Sequence, residues 1–123
     1  MSISVSSGAV VNVYVHTIAP LKSGNLHADG SEQTMLEYVG SGRITGYVDL
    51  SQMQAGDSIT VRQYIRVLPG GSWSKYAEES YSPPYANNTL YVWPRECDYG
   101  MKITLQQTLG VLRSYPNNFV LET

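Results

Sequence analysis

The sequence predicts an all-β protein, an antiparallel β-sandwich of jelly-roll or Ig-like type with about seven to nine short strands. Three observations carry this. Apolar residues recur with a period of two nearly everywhere. Clusters of Gly, Pro, Asn, Asp and Ser interrupt these runs about every 10 to 15 residues. No apolar pattern of helical period is long enough to support a helix by itself. Short strands with one apolar face each must bury that face, either as two packed sheets or as a closed barrel, and the sandwich is the more frequent solution at this size.

Val11, Val13 and Val15 alternate with Asn12, Tyr14 and His16, which predicts a first half-buried strand. Ile44, Val48 and Leu50 alternate with Arg43, Thr45, Tyr47 and Asp49, and Ile59, Val61, Ile65 and Val67 alternate with Thr60, Arg62, Tyr64 and Arg66. Leu90 and Val92 mark a shorter element. After it Met101, Ile103, Leu105 and Leu109 are expected on one face, opposite Lys102, Thr104, Gln106 and Thr108. Gln63 and Gln107 fall on inward positions, where an amide left without partners costs about 1–3 kcal/mol. Turns are expected at "HADGSE", "GSGR", "QAGDS", "PGGS", "SPPYANN" and "YPNN", and "LSQMQAG" reads as one helical turn or a crossover between sheets. The small, polar segment 1–8 is expected to be an N-terminal arm and 9–123 a single sandwich domain.

The chain has 123 residues, enough to bury roughly 65% of the unfolded surface. Eight Lys and Arg against ten Asp and Glu give a net charge of −2 without a basic run, so neither nucleic acid nor an anionic membrane is an expected partner. One cysteine excludes an intramolecular disulfide. The opening residues lack a signal-like basic segment and apolar stretch, and no apolar run reaches the ~20 residues of a membrane span, so synthesis in a host cytoplasm is expected. Ten Tyr against one Phe suit half-buried sheet faces and interfaces, because Tyr joins an apolar face to a hydroxyl that tolerates water.

Reactive groups are densest at "RECDYG", residues 95–100. A nucleophilic thiol needs a cation or a His base, yet Cys97 lies between Glu96 and Asp98, and His16 and His27 are distant in sequence. The segment is therefore read as a polar hairpin connection. His27, Asp29 and Glu32 make only a fragment of a metal loop, Glu78 and Glu79 point to opposite faces of an extended strand, and Asn87-Asn88-Thr89 is a sequon without a secretory route. No catalytic residue, metal site or cofactor is expected, and the chain is not expected to be an enzyme.

Aromatic residues in and around turns are the better candidates. Trp73, Tyr85 and Trp93, with Arg95 and Tyr99, are the expected contact residues, since exposed aromatics on a sandwich serve protein contacts or sugar stacking. The segments "ADGSEQTMLEYVGSGRITGYVDLSQMQAGDSITVRQYIRV" and "YVWPRECDYGMKITLQQTLGVLRSYP" resemble small all-β structural proteins of tailed phages and archaeal viruses, over roughly residues 10–119. "GDSITVRQYIRV" and "KITLQQT" are the most specific pieces, and none of it is catalytic. The resemblance implies a virion component, a capsid decoration or cement protein that binds the major capsid protein or another virion subunit and forms a homo-oligomer. The alternatives are a carbohydrate-binding or receptor-binding module with a glycan ligand, and a minor tail, turret or filament subunit.

Overall fold

The computed structural model describes residues 2–4, 10–12, 17–83 and 88–123; of the first two segments and of Trp93 only the backbone is described. The expected strand positions Val13 and Val15, His16, Tyr85 and most of the 1–8 arm lie outside the described residues. β1 (Ser2–Ser4) and β2 (Val10–Asn12) pair antiparallel as a small ribbon. The other strands are β3 (Ile18–His27), β4 (Gln33–Tyr38), β5 (Gly42–Asp49), β6 (Ser58–Ile65), β7 (Ser74–Tyr81), β8 (Thr89–Cys97), β9 (Met101–Leu109) and β10 (Ser114–Glu122).

These eight form two four-stranded antiparallel sheets, ordered β3-β10-β5-β8 and β4-β9-β6-β7. Only the β6–β7 link stays within one sheet; every other connection from β3 to β10 crosses to the opposite one. That winding is the jelly roll, which decides between the two sandwich types expected from the sequence. "LSQMQAG" is accordingly a crossover, carrying the chain from β5 to β6.

The core lies between the sheets and follows the period-two pattern. Ile44 and Val48 of β5, Tyr115 and Phe119 of β10, Ile59 and Val61 of β6, and Met101, Ile103 and Leu105 of β9 are buried together with Met35, Leu36 and Val92. Each fully buried side chain of this kind stabilises the fold by about 1.5–3 kcal/mol. The two inward amides are satisfied. Gln63 accepts from the Tyr76 hydroxyl at 2.6 Å, and Gln107 donates to the carbonyls of Leu109 and Val111 while accepting from the Arg113 backbone N–H and the buried Tyr115 hydroxyl.

Four expectations are corrected. "YPNN" is not a turn: it lies inside β10, which pairs with β3 on one side and β5 on the other, because Tyr115, Asn117 and Phe119 alternate into the core. Pro116 is tolerated because it sits where the register with β5 has not yet begun. "RECDYG" is not a hairpin: Arg95, Glu96 and Cys97 belong to β8, and the short turn after them crosses between sheets. Leu109 and Val67 are exposed instead of inward, since each lies at or past a strand end.

Gly46 is required by packing. A methyl group there would meet the Phe119 ring and the Asn118 carbonyl oxygen, the latter at 2.6 Å. Backbone cannot yield as a side chain can. Gly46→Ala is expected to lower stability by about 1–3 kcal/mol, read as a shifted urea midpoint with an unchanged slope.

Candidate interaction surfaces

The two sheets present outer faces of opposite character. On β4-β9-β6-β7 most of the charged side chains pair with one another. Arg62 donates from Nε to Glu78 at 2.5 Å and from Nη1 to Gln106 at 3.0 Å, and lies 3.7 Å from Glu32. Glu32 accepts from the Tyr64 hydroxyl and from Thr104 at 2.6 Å. Although burial opposes it, these two hydroxyls and the Arg62 guanidinium hold the Glu32 carboxyl below its usual range. Thr104 is only 3% exposed despite facing outward. Lys102 stands over the Tyr64 ring at 4.7 Å. This face directs most of its charge onto its own residues, although the Glu78 and Lys75 side chains stay 43% and 48% exposed.

The outer face of β3-β10-β5-β8 is neutral through its middle. The registers align Ser23, Asn118, Tyr47 and Tyr91 in one row, and Pro20, Val120 and Thr45 in the next. Tyr47 and Tyr91 form a tilted ring pair with centroids 5.2 Å apart, and Tyr47 remains 51% exposed. Charge returns only at the ends, with Asp49 at one and Arg43, Glu96 and Glu122 at the other. Depletion of charge around Tyr is the composition of an interface centre.

The expected contact residues do not converge on one patch. Trp73, in the β6–β7 loop, is half-buried beneath the Arg66 guanidinium at 4.5 Å, with Gly100 against its ring edge. Tyr99 is exposed in the β8–β9 turn at the same end of the sandwich. Arg95 lines a small hollow between β7 and β8 with Tyr81, Leu90 and Tyr91. Of Trp93 the structure places the backbone, within β8. Sequence reasoning missed Tyr47 as a contact residue. The signal was present, an outward Tyr in a well-alternating strand, but its partner row comes from three other strands.

The chemistry of the remaining candidates is also placed. Cys97 is buried, and burial followed by the nearby Asp98 carboxylate pushes its thiol up, away from thiolate. In "HADGSE" the Asp29 carboxylate accepts from Ser31, Glu32 turns onto the sheet face, and His27 pairs with Ser114. Among the described residues no group of three His, Cys, Asp or Glu is placed to hold a metal ion.

At the end opposite Trp73, the β9–β10 loop is braced from within. Asp57, 3% exposed, accepts from the Gln54 backbone at 2.8 Å and from Arg113 Nε at 2.9 Å. Gly110, with φ of +90°, is pressed against it: a methyl there would come within 2.8 Å of the Asp57 Cα. Leu109, Val111 and Leu112 project from this loop.

No family model matches the chain, and no curated protein matches it. Among solved structures it is similar to the VP2 subviral particle of infectious bursal disease virus, with TM-score 0.48 and 9% identity over 98% of this chain. The structure of the Gx strain of that virus gives 0.45 and 10%, again over 98%. The chain spans 36% of the length of each of those chains. Likeness at this level carries no functional argument.

The Gln54 N–H, and after it the Arg113 guanidinium, hold the Asp57 carboxyl below its ordinary 3.8 against the opposing effect of burial. A depressed folded value stabilises fully above the unfolded value and is lost as pH falls through the folded one. Asp57→Asn is expected to cost about 1–3 kcal/mol at neutral pH and to flatten the loss of stability below about pH 4, read by urea titrations across pH.

Proposed function

We propose that this chain is a non-enzymatic viral structural protein that decorates or cements a capsid or another virion lattice, docking through the outer face of β3-β10-β5-β8. The observation that carries the reading is the contrast between the two faces: one spends its charges on itself, the other is neutral, Tyr-bearing and exposed. The resemblance of "GDSITVRQYIRV" and "KITLQQT" to phage and archaeal-virus structural proteins supports the virion setting. A buried, carboxylate-flanked thiol argues against cysteine chemistry.

Decoration works by linkage. A protein that binds only the assembled lattice, across neighbouring subunits, stabilises that lattice in proportion to its occupancy. Tyr47 and Tyr91 supply rigid contact area at small entropic cost. The test is copurification with particles. Hundreds of copies per particle are expected, falling at least about tenfold in Tyr47→Asp; a handful of copies would instead indicate a tail or vertex component, and none would defeat the reading.

One observation favours a glycan as the ligand of the same face, namely the exposed Tyr47 paired with the half-buried Tyr91 and bordered by Asn118 and Thr45. On that reading glycan-array binding is expected and is lost in Tyr47→Ala with the fold retained.

A further inference from the structure

The loop pole at the end of β9 presents Leu109, Val111 and Leu112, which are 64%, 66% and 52% exposed. Three neighbouring apolar side chains on one four-residue turn are unusual for a solvated loop. This turn is also rigid. Gln107 holds the Leu109 and Val111 carbonyls at 3.1 and 2.6 Å and receives the Arg113 N–H at 2.9 Å, and the Asp57–Arg113 pair ties it to the β5–β6 crossover. An apolar projection held this way loses little entropy when it is covered. Beside it, Arg113 uses Nε for Asp57, and its Nη groups make no hydrogen bond among the described residues.

The opposite pole of the same chain is complementary. Strand β9 runs nine residues between the two, so they lie about 25–30 Å apart. There Val39, Val67 and Leu68 are exposed on the β4–β5 and β6–β7 loops, beside Tyr99. A hollow of about 290 Å³ opens at Val67, lined also by Ile65, Arg66, Glu96, Cys97 and Asp98. Glu96 and Asp98 join no salt bridge among the described residues; Arg66, on the same hollow, stacks over Trp73, and its buried Nε has no hydrogen-bond partner among the described residues. One pole thus offers a rigid apolar knob with spare guanidinium donors, and the other an apolar rim with spare carboxylates.

We propose that the chain self-associates head to tail, the Leu109–Leu112 knob of one copy seating on the Val67, Leu68 and Asp98 pole of the next. The contact is heterologous: the two surfaces differ, so each copy keeps one free knob and one free socket until a ring closes or a filament grows. A second copy is the occupant that fits because both the apolar side chains of the knob and the Nη donors that Arg113 keeps beyond its Asp57 pair find their complement, apolar rim and carboxylates, on this same chain. The inference does not depend on the virion role. Particle occupancy by a protein that never self-associates would defeat it alone.

Sedimentation of the purified chain from ~1 to ~500 μM tests it, with folding of each variant checked by circular dichroism. The wild-type mass is expected to rise with concentration. Leu112→Asp, which spoils the knob, and Val67→Asp, which spoils the socket, are each expected to weaken association at least about tenfold. Mixed in equal amounts, they retain one intact knob and one intact socket between them, and a species of two chains and nothing larger is expected. If either aspartate variant unfolds, Leu112→Ser and Val67→Ser replace the pair. A wild type that stays monomeric throughout, a single variant that assembles like wild type, or a mixture that stays monomeric overturns the proposal.

Discussion

Phe119 packed on Gly46 sits at the centre of the sheet that β10 completes, and the rest of the sandwich is arranged around that contact. β10 is the last strand in the chain but an interior strand of its sheet, hydrogen-bonded to β3 on one side and β5 on the other. Until it inserts, β3 has no neighbour and the core lacks Tyr115 and Phe119, two of its largest side chains. The absence of a side chain at Gly46 is what lets the ring pack against the neighbouring strand, at the distance that antiparallel pairing imposes.

Polar groups inside this core serve the same end. Gln107 and Tyr115 sit on facing inward positions and satisfy each other, and the remaining capacity of the amide goes to the loop that joins β9 to β10. A buried polar network is stabilising only when every member is paired, and this one is paired by fixing a turn. The same residues that complete the core therefore determine how the β9–β10 loop projects into solvent. Its exposed apolar residues are held in place from below.

Electrostatics divides the surface. Arg62, Glu32, Glu78, Lys75 and the hydroxyls between them concentrate charge on one sheet, where each group has a partner and little remains for a ligand. The outer face of the opposite sheet keeps its charges at the ends of the strands, and Lys22 in the middle of β3 donates instead to the Met35 carbonyl. A protein with a net charge of −2 has no long-range field to steer a partner, so recognition rests on shape, Tyr contact area and local pairs.

The strands β5, β6 and β9, and β8 as a shorter element, were legible from local pattern, because alternation of side chains along a pleated strand is a property of the residues themselves. Turn chemistry likewise located a break at "LSQMQAG", open between a helical turn and a crossover until the sheet order showed the crossover. β3, with Pro20, Ser23 and Gly24, has too weak an apolar face to announce itself, and in β10 the turn-like "YPNN" outweighed the inward series Tyr115, Asn117, Phe119. The candidate surfaces were less legible than the fold. Trp73 stood out by residue type, yet it is half-covered by Arg66, whereas Tyr47 gains its setting from rows contributed by four strands. By itself the sequence determined strand type, inward faces and the all-β class, all of which depend on neighbours in the chain. Strand order, the neutral face and the projecting Leu109–Leu112 turn depend on residues tens of positions apart, such as Asp57 with Arg113, and only the tertiary structure brings those together.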